Sequence, residues 1–227
     1  MRALLLIVVF SACSHPESSS ASNRAAEANS NQRPAVTLRF DAGKPGELPD
    51  SWQVAGASTK VANAGWQLCA DASAPSQPQV LMVAPPDSSS SPFNLCWTNS
   101  SPFQDGEIEV ALRAVAGRED QGGGPIWRVR DAANYYVCRF NPLERNFRVY
   151  VVAHGERREL ASVDVDAAAE TWHKIRVEHV GSRLRCWLDG AAELEVSDST
   201  LSEAGGVGVW SKADAATHFD DLRIQTR

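Results

Sequence analysis

The segment from Glu107 to Arg113 alternates between polar and apolar side chains, and this alternation constrains the fold more than any other feature. Ile108, Val110 and Leu112 share one face, because successive side chains of a strand point to opposite sides. A period of two predicts a β-strand with one buried face, whereas a helix repeats about every 3.6 residues. The same period, or a short apolar run, predicts further strands at residues 36–40, 66–69, 80–83, 126–129, 135–140, 147–152, 173–180, 184–188, 206–210 and 218–224.

No segment shows the long period of an amphipathic helix. The alanine-rich stretch 164–171 is short enough to form at most about one helical turn. Asp189-Gly190 is a dipeptide that favours the positive φ angles of a two-residue hairpin turn. Residues 43–49 and 85–92 are rich in loop-forming residues. Many short strands separated by turns predict an all-β domain, either an antiparallel sandwich or a barrel.

The chain begins with the pattern of an export signal. A positive start is followed by an apolar run at 3–10, two small residues and Cys13. The run is too short to span a bilayer, which takes about 20 apolar residues. Residues 10–13 resemble a bacterial lipobox, so we expect a lipoprotein signal peptide over 1–12 and lipidation at Cys13. The alternative is a plain signal peptide with an incidental cysteine. Several acyl chains would anchor an exported protein stably to the membrane, facing the periplasm or the cell surface.

Residues 13–34 contain no Val, Ile, Leu or aromatic residue. Such a stretch cannot bury enough apolar surface to offset the entropy of ordering, so it predicts a disordered tether. Residues 35–227 remain, and their number is compatible with one all-β domain. The formal net charge of −6 opposes binding to a phosphate backbone, so nucleic acid is not an expected partner.

The predicted domain contains four cysteines, Cys69, Cys96, Cys138 and Cys186. They form no C-x-x-C pair and no close cluster with histidine, so a structural zinc site is not expected. Export would permit disulfides, whose pairing the sequence leaves open. Cys186 alternates with Leu184 and Leu188, and Cys138 alternates with aromatic residues. We therefore expect both thiols to be buried as small apolar side chains.

Several motifs together resemble one known superfamily. They read Gly-Pro-Ile-Trp-Arg (124–128), Asn-Tyr-Tyr-Val (134–137), Trp-His-Lys-Ile-Arg-Val-Glu (172–178), Trp-Leu-Asp-Gly (187–190), Gly-Val-Gly-Val-Trp (206–210) and Phe-Asp-Asp-Leu (219–222). The set is similar to the concanavalin A-like lectin/glucanase superfamily, and within it to domains of 3-keto-disaccharide hydrolase type, which are related in fold to laminin G-like modules. The resemblance covers nearly all of residues 36–227. It implies a two-sheet antiparallel jelly roll and a carbohydrate or other glycan as partner.

The resemblance leaves open whether the domain is an enzyme. Hydrolase-type members tend to carry an acid or amide pair on the strand that here reads Tyr135 to Arg139, where neither Glu nor Gln occurs. The remaining candidates for catalytic carboxylates are Glu107 and Glu109. Their spacing puts both carboxylates on one strand face, roughly 6–7 Å apart, which lies within the range that glycosidases use. The same spacing is also ordinary for a solvent-facing strand.

Asp41, Asp220 and Asp221 are the candidates for metal binding, because carboxylate oxygens at a bend suit Ca²⁺. Phe219 and Leu222 are an odd number of positions apart, so both can point inward only if the strand bulges at the two aspartates between them. The alternative role for these aspartates is to cap turns.

Arginine and aromatic residues on predicted strands are the candidates for ligand binding, namely Arg128, Arg139, Arg148, Tyr150 and Trp187. Aromatic faces and planar donors suit a sugar ring, and the arginines would also suit an acidic glycan. Alternatively, the arginine stems cover apolar surface. The missing acid or amide pair favours an envelope-anchored carbohydrate-binding lipoprotein over a glycoside hydrolase. A structural envelope lipoprotein without a ligand is equally compatible with the sequence.

Overall fold

The computed structural model of the protein describes residues 34–56, 65–84 and 93–227. Every regular element within these ranges is a β-strand, and none of their residues belongs to a helix long and apolar enough to cross a membrane. The predicted signal peptide, Cys13, the tether up to residue 33 and the predicted loop 85–92 lie outside the described residues.

In chain order the strands are β1 (Val36–Leu38), β2 (Trp52–Ala55), β3 (Trp66–Ala70), β4 (Gln79–Val83), β5 (Phe93–Phe103), β6 (Gly106–Ala116), β7 (Gly124–Asp131), β8 (Asn134–Asn141), β9 (Asn146–Ala153), β10 (Glu156–Asp164), β11 (Trp172–Val180), β12 (Arg183–Leu188), β13 (Ala192–Ser197), β14 (Gly205–Lys212) and β15 (Ala216–Thr226). They form two antiparallel sheets. The first has the order β13-β12-β11-β6-β15-β4-β3, with β1 paired to β15. The second has the order β10-β9-β8-β7-β14-β5-β2.

The two sheets pack against each other over one apolar core. Ile108, Val110 and Leu112 on β6 are fully buried, as their alternation predicts, and they belong to the same core as Val149 and Val209 of the second sheet. Fully burying such a side chain is worth about 1.5–3 kcal/mol. The predicted all-β sandwich of two antiparallel sheets is therefore confirmed.

The cysteines of the core behave as predicted. Cys138 on β8 and Cys186 on β12 have no exposed surface, and the four cysteines within the described ranges are free thiols. Burial raises the pKa of the Cys138 thiol, and the neighbouring Cys186 adds to this effect. Both side chains therefore fill the core as small apolar groups.

The last strand, β15, contains the bulge that its sequence predicts. Its pairing with β6 shifts in register between Asp220 and Arg223, and Asp221 has a φ of 47°. The extra residue changes the direction of the strand, so that Phe219 and Leu222 are both fully buried.

The sequence does not predict four of the strands, β2, β5, β10 and β13. β10 lies at the edge of the second sheet and most of its residues are exposed. Its Leu160, Ala161 and Val163 pack on the core, but a register shift between Glu159 and Ala161 interrupts their alternation. The Asp189-Gly190 turn has the predicted positive φ angles, 52° and 71°. It contains three residues instead of two, because β12 ends at Leu188 and β13 begins at Ala192.

Candidate functional site

The predicted ligand-binding residues do not lie on one surface. We call the side of each sheet that faces away from the other sheet its outer face. Arg139 on β8 is the cross-strand partner of Arg148 on β9, and Tyr150 shares their outer face on the second sheet because strand side chains alternate. Trp187 lies on the outer face of the first sheet, and Arg128 is buried among loops. The second sheet therefore brings together three of the five candidates.

Aromatic and aliphatic side chains cover much of the outer face of the second sheet. They form a buried cluster distinct from the inter-sheet core, consisting of Leu95, Trp97, Ile126, Val129, Tyr135, Val137, Tyr150, Val152 and Trp210. At the margin of this outer aromatic cluster, the guanidinium of the exposed Arg157 lies 4.6 Å from the ring centroid of Tyr150 and 5.0 Å from that of the half-buried Phe93. Burial raises the pKa of Tyr135 to about 12, so its hydroxyl stays protonated.

A carboxylate that the sequence does not single out, Asp120, organises the polar end of this face. It is 1% exposed and accepts hydrogen bonds from Arg139 Nη1 at 3.0 Å, Asn141 Nδ2 at 2.8 Å and Lys212 Nζ at 2.6 Å. Asp120 lies in the loop before β7, outside every periodic segment, so no sequence pattern indicates its role. Only the fold brings its three donors together.

Glu144, in the turn between β8 and β9, holds the other side of the same arginine. Arg139 Nη2 donates to its Oε2 at 2.5 Å, and Asn146 Nδ2 donates at 3.0 Å. Burial alone would raise the pKa of Glu144, but the hydrogen bond from Asn146 and the charge of Arg139 lower it. Arg139 is 2% exposed, and its Nε is buried with no hydrogen-bond partner among the described residues. We call these six residues, Asp120, Arg139, Asn141, Glu144, Asn146 and Lys212, the Asp120 network.

The Asp120 network reaches solvent through charged side chains. The side chain of Lys212 is 26% exposed, that of Glu144 is 37% exposed, and that of the adjoining Arg148 is 33% exposed. Their buried partners fix the positions of the polar groups beside the outer aromatic cluster. Fixed donors and acceptors next to aromatic rings can orient a ligand that combines hydroxyl groups with an apolar ring face.

Arg128, a predicted ligand contact, is buried among loops. Its side chain is 1% exposed, and its guanidinium donates to the backbone oxygens of Gln104 at 2.9 Å, Gly181 at 3.1 Å and Leu201 at 2.7 Å. It also donates to Asp105 Oδ1 at 3.2 Å. Four protein acceptors thus surround the group, which joins three loops.

Trp187, another predicted ligand contact, is covered by neighbouring arginines. The indole is 6% exposed because two guanidinium groups cover it, with Arg176 at 3.8 Å and Arg185 at 4.6 Å from the ring centroid. Arg185 in turn bonds to Glu193. The ring is therefore part of a stacked, ion-paired surface in which arginines cover an aromatic group.

The two candidate catalytic glutamates belong to the same surface of the first sheet. Glu109 pairs with Lys174 at 3.0 Å and Glu107 with Arg176 at 3.6 Å. Cross-strand pairs of this kind are typical of an exposed strand face, which is the alternative that the sequence leaves open. Neither carboxylate belongs to the group of polar residues around Arg139.

The three candidate metal ligands hold loops in place. Asp220 is fully buried and accepts hydrogen bonds from the backbone N–H and hydroxyl of Ser76; its burial raises its pKa to about 6. Asp221 pairs with Arg39 at 3.7 Å, and Asp41 accepts from a backbone N–H of β4 at 3.4 Å. Within the described ranges, no three His, Cys, Asp or Glu side chains converge as a metal site. The contacts therefore favour loop capping over Ca²⁺ binding.

Comparisons with known proteins establish the fold. No protein-family model and no curated protein matches this chain. Among solved structures, the carbohydrate-binding module CBM66 from Bacillus subtilis is similar with a TM-score of 0.61 and 15% identity, over 78% of this chain and 96% of the module. A Bacillus licheniformis β-glucanase is similar with a TM-score of 0.57 and 13% identity, over 85% of this chain and 98% of the enzyme. A galectin-like protein of unknown function from Bacillus subtilis has a TM-score of 0.53 and 13% identity, over 78% of this chain and 90% of that protein.

These likenesses define the class of protein to which the chain is similar. It has the jelly-roll sandwich of galectin-like and concanavalin A-like proteins, as its motifs imply. The proteins that share this fold include a carbohydrate-binding module and a β-glucanase. At such low identities the fold alone is common to them, so activity must be argued from the residues of this chain.

Proposed function

We propose that this domain binds carbohydrate at the polar end of the outer face of its second sheet. The observation that carries the proposal is the Asp120 network, which places a buried arginine and two carboxylates on a sheet face beside the outer aromatic cluster. Buried ion pairs add little net stability compared with apolar packing. Such a network is better explained by the exposed donors and acceptors that it positions.

The exposed groups match the chemistry of a sugar. Arg148 and Lys212 can donate hydrogen bonds to hydroxyl oxygens, and Glu144 can accept them from hydroxyl groups. The ring of Phe93 and the guanidinium of Arg157 offer flat surfaces at the margin of the cluster, where the C–H groups of a sugar can pack. The fold shared with a carbohydrate-binding module and a β-glucanase supports this chemistry.

The geometry favours binding over glycoside hydrolysis of the 3-keto-disaccharide type. A glycosidase needs one carboxyl group that holds a proton and gives it to the leaving oxygen. Glu144 is kept ionised by its lowered pKa, and Asp120 accepts hydrogen bonds from two cationic side chains. Glu144 therefore does not suit a general acid, for which a raised pKa is required.

We also propose that the chain is an exported lipoprotein anchored to the membrane through Cys13. The support is the order of a positive start, an apolar run and small residues before that cysteine. An anchored glycan-binding domain would hold its ligand close to the cell envelope. If the following experiment detects no glycan binding, the alternative is a structural lipoprotein without a ligand.

The test is a glycan-array screen of the purified full chain, followed by calorimetric titration of each ligand found. Arg148→Ala and Lys212→Ala should each weaken binding by about 1.5–3 kcal/mol, because each removes a charged hydrogen-bond donor. Arg183→Ala is the matched control, since this arginine pairs with Glu195 on the outer face of the first sheet. Failure of the parent to bind any glycan, or parental affinity in both variants, contradicts the proposal. Product formation at enzymatic rates would establish hydrolysis instead.

A further inference from the structure

A separate cavity of about 510 Å³ lies where the chain passes from β1 towards β2. Residues of two segments, 37–43 and 47–52, line it. Its volume lies within the range of about 300–1,000 Å³ that is typical of small-molecule sites. None of its lining residues belongs to the Asp120 network or the outer aromatic cluster, so a ligand here would occupy a second site.

The apolar wall of this cavity is an aromatic corner. Phe40 and Trp52 meet edge to face, with ring centroids 5.5 Å apart and planes at 68°. Phe40 is 6% exposed, whereas Trp52 is only partly buried. Leu38 and Leu48 line the same cavity and pack on the core. A partly exposed indole supported by buried neighbours is a suitable surface for stacking a ligand ring.

The polar lining of the cavity is predominantly negative. It includes three carboxylates, Asp41, Glu47 and Asp50, and one guanidinium, Arg39, so its formal charge is −2. Arg39 is paired with Asp221 at 3.7 Å. Asp50 has no ion-pair partner within the described part of the chain. A negative lining around an aromatic corner is complementary to a cation with an apolar body, because aromatic faces also attract cations.

We propose that this cavity binds an amino sugar that carries a free, protonated amine. The sugar ring would stack on Trp52, and the ammonium group would lie between the indole and the carboxylates of Asp41 and Asp50. An acidic sugar would be repelled by these carboxylates, and a neutral sugar would leave their charge uncompensated. The inference does not rest on the proposed function, because the two sites share no residue.

The test compares two tetramers by calorimetric titration of the purified full chain at pH 6 and low salt. One is β-1,4-linked glucosamine with free amines, and the other is its fully N-acetylated form, which keeps the rings and lacks the charge. The free amine form should bind about tenfold more tightly. Asp50→Asn should weaken its binding about fivefold, and Trp52→Ala about tenfold or more.

Asp50 is exposed, so Asp50→Asn keeps the test valid even if the loss of the Trp52 ring disturbs the fold. Glu156→Gln neutralises another exposed carboxylate, on β10, and should leave binding unchanged. Equal affinity for both tetramers, an unchanged Asp50→Asn variant, or an equal loss in Glu156→Gln would each overturn the proposal. Arg148→Ala should retain the binding of the amine tetramer. Loss of that binding would instead place the ligand on the outer face of the second sheet, beside the Asp120 network.

Discussion

Replacing Arg128 with methionine should destabilise the domain without removing a ligand contact. Methionine retains an unbranched apolar stem but lacks the guanidinium, which donates four hydrogen bonds to loop acceptors 23 to 73 residues away in the chain. The side chain is 1% exposed, so water cannot replace the missing donor in full. The substitution therefore separates a role in stability from a role in binding.

The expected loss of stability follows from the hydrogen-bond acceptors that the substitution leaves without a donor. Breaking a buried ion pair by removing one partner costs about 3–5 kcal/mol, and a buried acceptor without a donor costs about 1–3 kcal/mol. The Asp105 side chain is 35% exposed, so it regains some hydration, and we expect a loss of about 3 kcal/mol. For a domain of this size each kcal/mol lowers Tm by about 2–4 °C. Arg128→Met should therefore melt about 6–12 °C below the parent, measured by far-ultraviolet circular dichroism.

Arg183→Met is the matched control for this experiment. Arg183 pairs with Glu195 at 2.9 Å, but the two side chains are 57% and 51% exposed, and exposed pairs contribute about 0–1 kcal/mol. Its Tm should stay within roughly 4 °C of the parent. If Arg128→Met melts as high as this control, the four hydrogen bonds do not stabilise the domain and our account of Arg128 is wrong.

The remaining predictions concern acid stability and the membrane anchor. Burial alone would raise the pKa values of Asp71 and Asp198, but hydrogen bonds lower both. Those from Ser73 and His218 lower the pKa of Asp71 to about 2. Those from Tyr136 and Arg158 lower the pKa of Asp198 to about 2. Each therefore contributes about 2–3 kcal/mol of stability that is present above pH 4 and lost as the pH falls towards 2. Urea unfolding at pH 5, 3 and 2 should show this loss, and Asp198→Asn should remove about half of it; a flat profile would argue against both assignments. Cys13→Ser should release the protein from the membrane fraction, and unchanged fractionation would refute lipidation there.

The fold could be predicted from the sequence wherever one face of a strand is apolar. The stripe on β6 is an example, and the spacing of Phe219 and Leu222 even predicts a bulge between them. In these cases neighbouring residues determine both the burial pattern and the local geometry. The edge strand β10 gives no such signal, because most of its residues are exposed.

The site could be predicted only in part, because its interactions are non-local. Arg139, Arg148 and Tyr150 lie on one face, as alternation along predicted strands allows. Arg128 departs from this logic, since its φ of 48° and the register shift between β7 and β8 turn it away from a regular strand position. Asp120 bonds to Lys212, 92 positions away, and no periodic pattern relates two such residues.

The two outer faces of the sandwich differ in how their charges are satisfied, and this difference favours the second sheet as the binding surface. On the first sheet, Lys174 pairs with Glu109 at 3.0 Å and Arg183 pairs with Glu195 at 2.9 Å. Of these side chains, only that of Glu109 is less than half exposed. Each of those charges is met by a neighbour, and pairs of this kind are weak and readily exchanged with water. On the second sheet Arg139 is buried and bonds to both Asp120 and Glu144, and the side chains of Glu144 and Lys212 reach solvent. Preorganised polar groups lose less conformational entropy when a ligand binds, so a sugar would gain more affinity from the Asp120 network than from the exposed ion pairs of the first sheet.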